Sequence, residues 1–336
     1  MNSLEAVVLQ GTGGVWQVRT DSGETLDVSL RGRLKREPGR DARERDLQDR
    51  GGGRESMRRS PRGDDAEKPL KLTVGDRVTI SNVPTETAWA IDVIHPRRSQ
   101  LARRSPGGAR GERIMVANLD QVVVVFAAAR PDPHPRMLDR FLVIAEANEL
   151  AVHVVINKSE LVDEASIRRM FVDQAEAGYP IHLTSVVSGV GLDDLRAQVE
   201  GKISALAGPS GVGKSSLMNK LFPGLDLRTA EISDSVNKGR HTTVGAVLHP
   251  LPTVGFVADT PGLREVGLWN IAVDELPRCF PEFRPLLDEC RFADCLHTVE
   301  PGCAIREAVK SGLVRAGRYE SYIRLREELV EGADLW

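Results

Sequence analysis

Residues 208–216 read Gly208-Pro209-Ser210-Gly211-Val212-Gly213-Lys214-Ser215-Ser216, a stretch of the form G-x-x-x-x-G-K-S. An apolar run, Ile203 to Ala207, delivers it, and a helix-like segment, Ser215 to Leu221, leads away. Strand, glycine-rich loop and helix in that order make a phosphate cradle. Glycines let backbone N–H groups turn inward around a β-phosphate, and the helix start adds the positive end of its dipole. Lys214 can then reach the β- and γ-phosphates, and the Ser215 hydroxyl can ligate Mg²⁺. The bland alternative is a Gly/Ser turn, which has no reason to sit between a strand and a helix. The loop implies a bound nucleoside triphosphate.

Upstream, Asn157-Lys158-Ser159-Glu160 closes the apolar run Ala151 to Ile156. It resembles the guanine-reading N-K-x-D motif of GTPases, in which a carboxylate accepts two hydrogen bonds that adenine does not offer. Paired, charge-assisted bonds of that kind separate the two bases by several kcal/mol in a dry site. Glu160 stands where the motif has aspartate, and its extra methylene shifts the contact. Guanine is therefore the expected base, with ATP as the alternative. Thr184-Ser185, after the apolar Pro180 to Leu183, is the candidate last loop on the guanine side.

Downstream, Asp259-Thr260-Pro261-Gly262 closes another apolar strand, Val254 to Ala258. GTPases keep at this place an aspartate that holds Mg²⁺ through water and a glycine whose N–H meets the γ-phosphate. Between the two lies Lys238-Gly239-Arg240-His241-Thr242-Thr243, a candidate first switch, with Thr243 as the Mg²⁺ ligand and Thr242 beside it as the alternative. The order along the chain is base reader, ribose-side loop, phosphate loop, switch I, switch II. An ordinary GTPase begins with the phosphate loop and ends with the base reader. The same parts in rotated order mean a circular permutation, which a sheet whose termini lie at the surface tolerates. Its consequence is mechanical: the chain leaves switch II directly into the C-terminal segment, so loss of the γ-phosphate can be felt there.

That segment carries Cys290, Cys295, His297 and Cys303, spaced C-x4-C-x-H-x5-C. Three thiolates and an imidazole suit tetrahedral Zn²⁺ in a closed, structural site, because four protein ligands leave no open position for catalysis. The fourth of the four cysteines, Cys279, falls outside this spacing and reads as a small buried apolar residue. Disulfides are the weaker reading, since no export signal is present and cytosolic thiols stay reduced.

These motifs together resemble the RsgA family (also YjeQ or EngC), bacterial GTPases of small-ribosomal-subunit assembly. The matching residues are Asn157-Lys158, Gly208 to Ser216, Gly239 to Thr243, Asp259 to Gly262 and the Cys/His cluster, with Ala117 to Gln121 and Leu138 to Leu142 beside them. The departures are Glu160 and Val244, where the family often continues its threonine run. The resemblance implies a 30S subunit partner with its 16S rRNA, GTP and GDP as ligands, an OB-fold at the N-terminus, and His241 as the residue that orients water. His241 is also the nearest candidate in sequence, because Leu263 occupies the place where many GTPases carry a glutamine and an apolar residue cannot orient water. The alternative for His241 is a plain surface histidine of a switch loop.

Composition fits. The chain has 336 residues, enough for two or three domains, and a net charge of −3. No basic-then-apolar leader opens it, and no apolar run nears a membrane span, so the expectation is a cytoplasmic protein that touches no membrane; a monomer is expected because the partner that the resemblance implies is large. Residues 1–113 carry 22 Lys/Arg against 17 Asp/Glu, whereas the remainder carries 23 against 31. That asymmetry points to a polyanion-binding N-terminal part. Residues 5–31 and 70–118 alternate apolar and polar positions, with short strands around Val7-Val8, Val15 to Val18, Leu26 to Val28, Asp76 to Ile80 and Trp89 to Val93. Five such strands suit a small OB-type barrel. Residues 36–70 read as a disordered loop between barrel strands. Residues 97–113 hold six arginines and one glutamate, which reads as an RNA contact, or else as a solvated surface.

From Gln121 onward the pattern lengthens. Val122 to Ala127 and Ala151 to Ile156 are β-branched runs, as in strands buried on both faces. Met137–Asn148, Glu164–Ala177 and Leu192–Glu200 space apolar residues as helices do, as do Ile305–Ser311 and Tyr319–Leu329 after the cysteines. The expected organisation is an all-β OB-fold barrel over 1–113, a circularly permuted α/β P-loop GTPase domain with a mainly parallel sheet over 114–272, and a small α-helical zinc-binding domain over 273–336. Two functions compete: a ribosome-assembly GTPase, and a GTP-switched RNA-binding regulator whose turnover is incidental.

Overall fold

The computed structural model describes residues 3–31, 71–82, 88–104, 112–227, 246–259 and 271–334. The expected loop 36–70, and His241, Thr242, Thr243 and Gly262, lie outside the described residues. The chain divides into two compact units, Met1–Pro96 and Arg97–Trp336, so the arginine-rich stretch 97–113 falls in the second.

In the first unit, apolar side chains at alternate positions turn to one face and close a core. Strands β1 (Ser3–Thr12), β2 (Val15–Thr20), β3 (Thr25–Leu30), β4 (Arg77–Asn82) and β5 (Trp89–Ile94) form a closed barrel in the order β1-β2-β3-β5-β4. Four pairings are antiparallel, and β3 meets β5 in parallel. Ala6, Val8, Val18, Val28, Val78, Ile80 and Ile91 fill the interior. Closure pairs every strand on both sides and leaves no bare edge. The five-stranded OB-type barrel read from the sequence is present.

The second unit begins with an antiparallel hairpin, β6 (Gln100–Arg104) and β7 (Glu112–Ala117). A six-stranded sheet follows, built from β8 (Gln121–Ala127), β9 (Ala151–Asn157), β10 (Ile181–Leu183), β11 (Ile203–Ala207), β12 (Val247–Pro250) and β13 (Phe256–Asp259). Its order is β10-β9-β8-β11-β13-β12, with only β12 antiparallel to its neighbour. All seven residues of β8 are buried, as an apolar run between two helical layers must be. Each fully buried valine there contributes about 1.5–3 kcal/mol relative to exposure.

Helix α1 (Pro135–Ala147) starts on a proline, whose missing N–H costs nothing in the first turn, and buries Leu138, Phe141 and Leu142. The helix expected over 164–177 is divided: α2 (Glu164–Met170) and α3 (Val172–Glu176) meet at Phe171, whose φ of −110° departs from helical geometry while its ring is fully buried. Asp163 caps α2 by accepting from the Ser166 N–H at 2.8 Å. Helices α4 (Leu192–Val199) and α5 (Lys214–Leu221) pack on the sheet face lined by Val123, Val125 and Val155. In the tail, α6 (Ala304–Ser311) and α7 (Ala316–Asp334) enclose Phe280, Phe283 and Tyr322, and Val143 of α1 joins the same apolar cluster. Among the described residues no helix is long and apolar enough to cross a membrane.

Candidate nucleotide site and metal centre

Because β8, β9, β10, β11 and β13 run parallel, their C-terminal ends share one edge of the sheet, the place where open α/β sheets bind ligands. The loop Gly208–Gly213 leaves β11 there. Gly208 has φ +123°, and a Cβ would lie 2.0 Å from the Val125 carbonyl oxygen, so only glycine fits. Gly213, at φ +93°, lets the loop pass so near Asn157 that a Cβ would sit 2.6 Å from its Nδ2. Lys214 Nζ donates to the carbonyls of Gly208 and Pro209 at 2.8 and 2.6 Å, which puts its charge over the loop mouth. Ser215 and Ser216 stand in the first turn of α5; Pro209, Ser210, Gly211 and Val212 complete the turn.

Asn157 is the last residue of β9 and is 2% exposed. Its Nδ2 donates to the Val212 carbonyl at 2.9 Å, and its Oδ1 accepts from Thr184 Oγ1 at 3.3 Å. One amide thus joins the phosphate loop to the loop after β10. Lys158 sits left-handed at φ 58°, and its Nζ donates to the Gly211 carbonyl at 2.8 Å and to the Arg130 carbonyl. The Ser159 N–H donates to the Thr184 carbonyl at 3.1 Å. Thr184 and Ser185 are fully buried, and Ser185 Oγ accepts from the Ser188 N–H at 3.0 Å. Glu160 lies exposed on the short 3-10 turn Ser159–Leu161. Asp259 ends β13 at the same edge. Burial holds the nearby His249 imidazole below its usual range, with Asp259 opposing.

The sequence motifs did not mark Arg130-Pro131. Pro131 Cδ lies 3.7 Å from where a Gly211 Cβ would be, and Arg130 receives Lys158, so this turn forms a wall of the loop. The signal was there in Arg130-Pro131-Asp132-Pro133, a turn composition directly after a buried strand.

In the tail, Cys290, Cys295, His297 and Cys303 place their ligand atoms within 4.8 Å of one another. Sγ of Cys290 and of Cys303 each lie 3.5 Å from His297 Nδ1, and 4.0 Å from each other. Tetrahedral zinc, with bonds of about 2.3 Å to sulfur and about 2.0 Å to nitrogen, sets S···N near about 3.5 Å and S···S near about 3.8 Å. The four residues fit such an ion, and no disulfide links them. The supporting loop is held from three sides. Glu300 accepts backbone N–H groups of Leu296, Thr298 and Val299 at 2.9–3.1 Å, while Tyr319 and Tyr322 hydroxyls donate to the His297 and Leu296 carbonyls at 2.8 and 2.7 Å. Cys279 stands apart, buried, and burial pushes its thiol up to about 12.

Comparison with known proteins agrees with this geometry. The family model described as RsgA GTPase matches residues 94–269. A small ribosomal subunit biogenesis GTPase RsgA of Gemmatimonas aurantiaca is 62% identical over 329 residues, covering 98% of each chain. The Thermotoga maritima protein of the same name is 40% identical over 263 residues, 78% of this chain and 85% of its own. Among solved structures, YjeQ from Thermotoga maritima superposes with a TM-score of 0.73 at 32% identity, over 98% of this chain and 99% of that one. YloQ, described as a circularly permuted GTPase, gives 0.69 at 26% identity over 98% and 96%. A rotated motif order, a phosphate loop bridged to an Asn-Lys loop, and a Cys/His cluster in the tail place this chain in the RsgA GTPase family.

Proposed function

We propose that this chain hydrolyses GTP to GDP and phosphate while bound to the 30S ribosomal subunit, late in its assembly, and that hydrolysis lets it leave. The carrying observation is the Asn157 amide, which ties the phosphate loop to the proposed base-side loops across a rotated motif order. The name borne by relatives up to 62% identical supports the ribosomal part.

Lys214 neutralises charge that builds on the γ-phosphate, and the Gly262 N–H positions that group. Ser215 and Thr243 are assigned to hold Mg²⁺, with Asp259 beside them, and the ion would supply neutralisation of phosphate charge there. Asn157, Lys158 and Glu160 take the guanine side. His241 orients the attacking water, since Leu263 cannot. The barrel and the basic stretch 97–113 take 16S rRNA; the zinc-bound tail supplies a second contact. We assign the division 1–113, 114–272 and 273–336 to these three roles, in a cytoplasmic monomer.

The test is phosphate release by the full chain with purified small subunits, large subunits or bulk RNA. Small subunits alone should accelerate it, and His241→Ala should keep GTP affinity but lose the acceleration. Equal stimulation by any RNA would favour a GTP-switched RNA-binding regulator instead.

A further inference from the structure

The phosphate loop rests against a second turn, the one that follows β8, and that turn carries a cation. Arg130 stands exposed there, just past the C-terminal end of the strand. Its carbonyl and that of Gly211 accept the same Lys158 Nζ. The next residue, Pro131, lies with Cδ 3.7 Å from where a Gly211 Cβ would be. Both contacts pin the turn to the middle of the loop. Arg130 also holds φ at +53°, a left-handed backbone that costs a side-chain-bearing residue free energy and persists only where its neighbours enforce it.

The charges around the loop are committed unevenly. Lys214 Nζ lies over the start of the loop, on the Gly208 and Pro209 carbonyls. Lys158 gives its Nζ to the Gly211 and Arg130 carbonyls, so it braces the loop. The Arg130 guanidinium has no hydrogen bond or ion pair among the described residues. It stands beside Gly211, whose neighbour Val212 receives the Asn157 amide on the side assigned to the base. A nucleotide with its base on that side runs its phosphates toward Lys214, so the α- and β-phosphates pass Gly211 first. A guanidinium is planar, always charged and able to grip phosphate oxygens in pairs.

We propose that Arg130 is a further nucleotide-binding residue, its guanidinium closing on the α- and β-phosphates from the turn after β8. The proposal rests on the guanine-nucleotide reading of the site. It gives Arg130 a contribution shared by GDP and GTP, distinct from that of Lys214, which is assigned to the γ-phosphate.

The test is calorimetric titration of the full chain with GDP and with a non-hydrolysable GTP analogue, both with Mg²⁺. Arg130→Gln, which keeps much of the stem and drops the charge, should weaken both about tenfold, the scale of one charge-assisted contact. Arg130→Lys should recover part of that loss, and the loss should shrink as salt is raised, since the contact is exposed. Arg136→Ala removes a nearby charge on α1 that is already paired with Glu320 at 2.7 Å, and it should leave both affinities within about twofold. The Arg130 variants should keep the urea midpoint of the unaltered chain. Unchanged affinity in Arg130→Gln, a loss confined to the GTP analogue, equal loss from Arg136→Ala, or a urea midpoint that falls in step with affinity would each overturn the proposal. Failure of the unaltered chain to bind either nucleotide would sink the guanine-nucleotide reading and this assignment with it, whereas normal binding by Arg130→Gln would remove Arg130 alone.

Discussion

His153 and His182 face each other across β9 and β10, with Nδ1 and Nε2 3.0 Å apart. Burial holds both imidazoles below the usual 6.5; His153 falls to about 4, helped by His182 and Lys202, while Asp194 opposes the fall at His182. Between those values the unfolded chain binds more protons than the folded one. The stability this pair confers is therefore full above pH 6.5 and is lost as pH falls toward about 4. The urea midpoint should drop between pH 7 and pH 5, and a His153→Gln/His182→Gln protein should drop less. Identical slopes for the two proteins would remove the pair from the acid response. Neither histidine could be paired from sequence, because their contact joins two strands through a crossover. Asn157 divides the same way. Its place at the end of a buried strand was legible from the apolar run before it. Its bond to Val212 was not, since a partner 55 positions later leaves no local pattern.

Among elements, α1 and α7 are fastened by charge inside the fold. Arg318 on α7 is fully buried and lies 2.7 Å from Asp139 of α1 and 2.7 Å from Glu282. Asp139 also accepts from Gln174 at 2.7 Å and from Ser321, and Arg318 stacks over Phe280 with its guanidinium 4.7 Å from the ring centre. Burial works against the charge on Arg318, but Asp139 and Glu282 more than offset it and raise its pKa above the usual range. Removing one member leaves uncompensated charge in low dielectric, which costs about 3–5 kcal/mol. Arg318→Met should lose that much in urea denaturation, and adding Asp139→Asn with Glu282→Gln should restore a good part. A loss near the about 1 kcal/mol of a surface pair would contradict this account. The helices themselves were legible from apolar spacing. The latch had one trace, a carboxylate at Asp139 within the apolar face of α1. The break at Phe171 had none, because its cause is the site that receives the ring.

At the scale of the molecule, the cysteines of the candidate metal centre pack into the same apolar cluster that takes in Val143. Thiols and imidazole must be deprotonated to bind, and an ion bound only by the folded tail stabilises it directly. Purified protein should carry about one zinc per chain. Stripping it with a chelator should raise hydrogen exchange across residues 271–334 while GTP-analogue binding survives. Unchanged exchange after complete removal would deny the metal a structural role. The barrel and the sheet were both readable beforehand, the one from alternation and the other from buried runs parted by helices. The boundary at Pro96 was not, since the hairpin of β6 and β7 alternates just as the barrel strands do.

The strand order of the sheet also bears on how the polypeptide assembles as it is made. β8 comes first; β9 and then β10 extend it on one flank, and β11 docks on the other. Each of these finds its neighbour already synthesised, and only β12 must wait for β13. Nascent chains fold from the N-terminus as they emerge. The half of the sheet formed by β8, β9 and β10 can thus be standing before the glycine-rich turn leaves the exit tunnel, and that turn is completed against a finished wall.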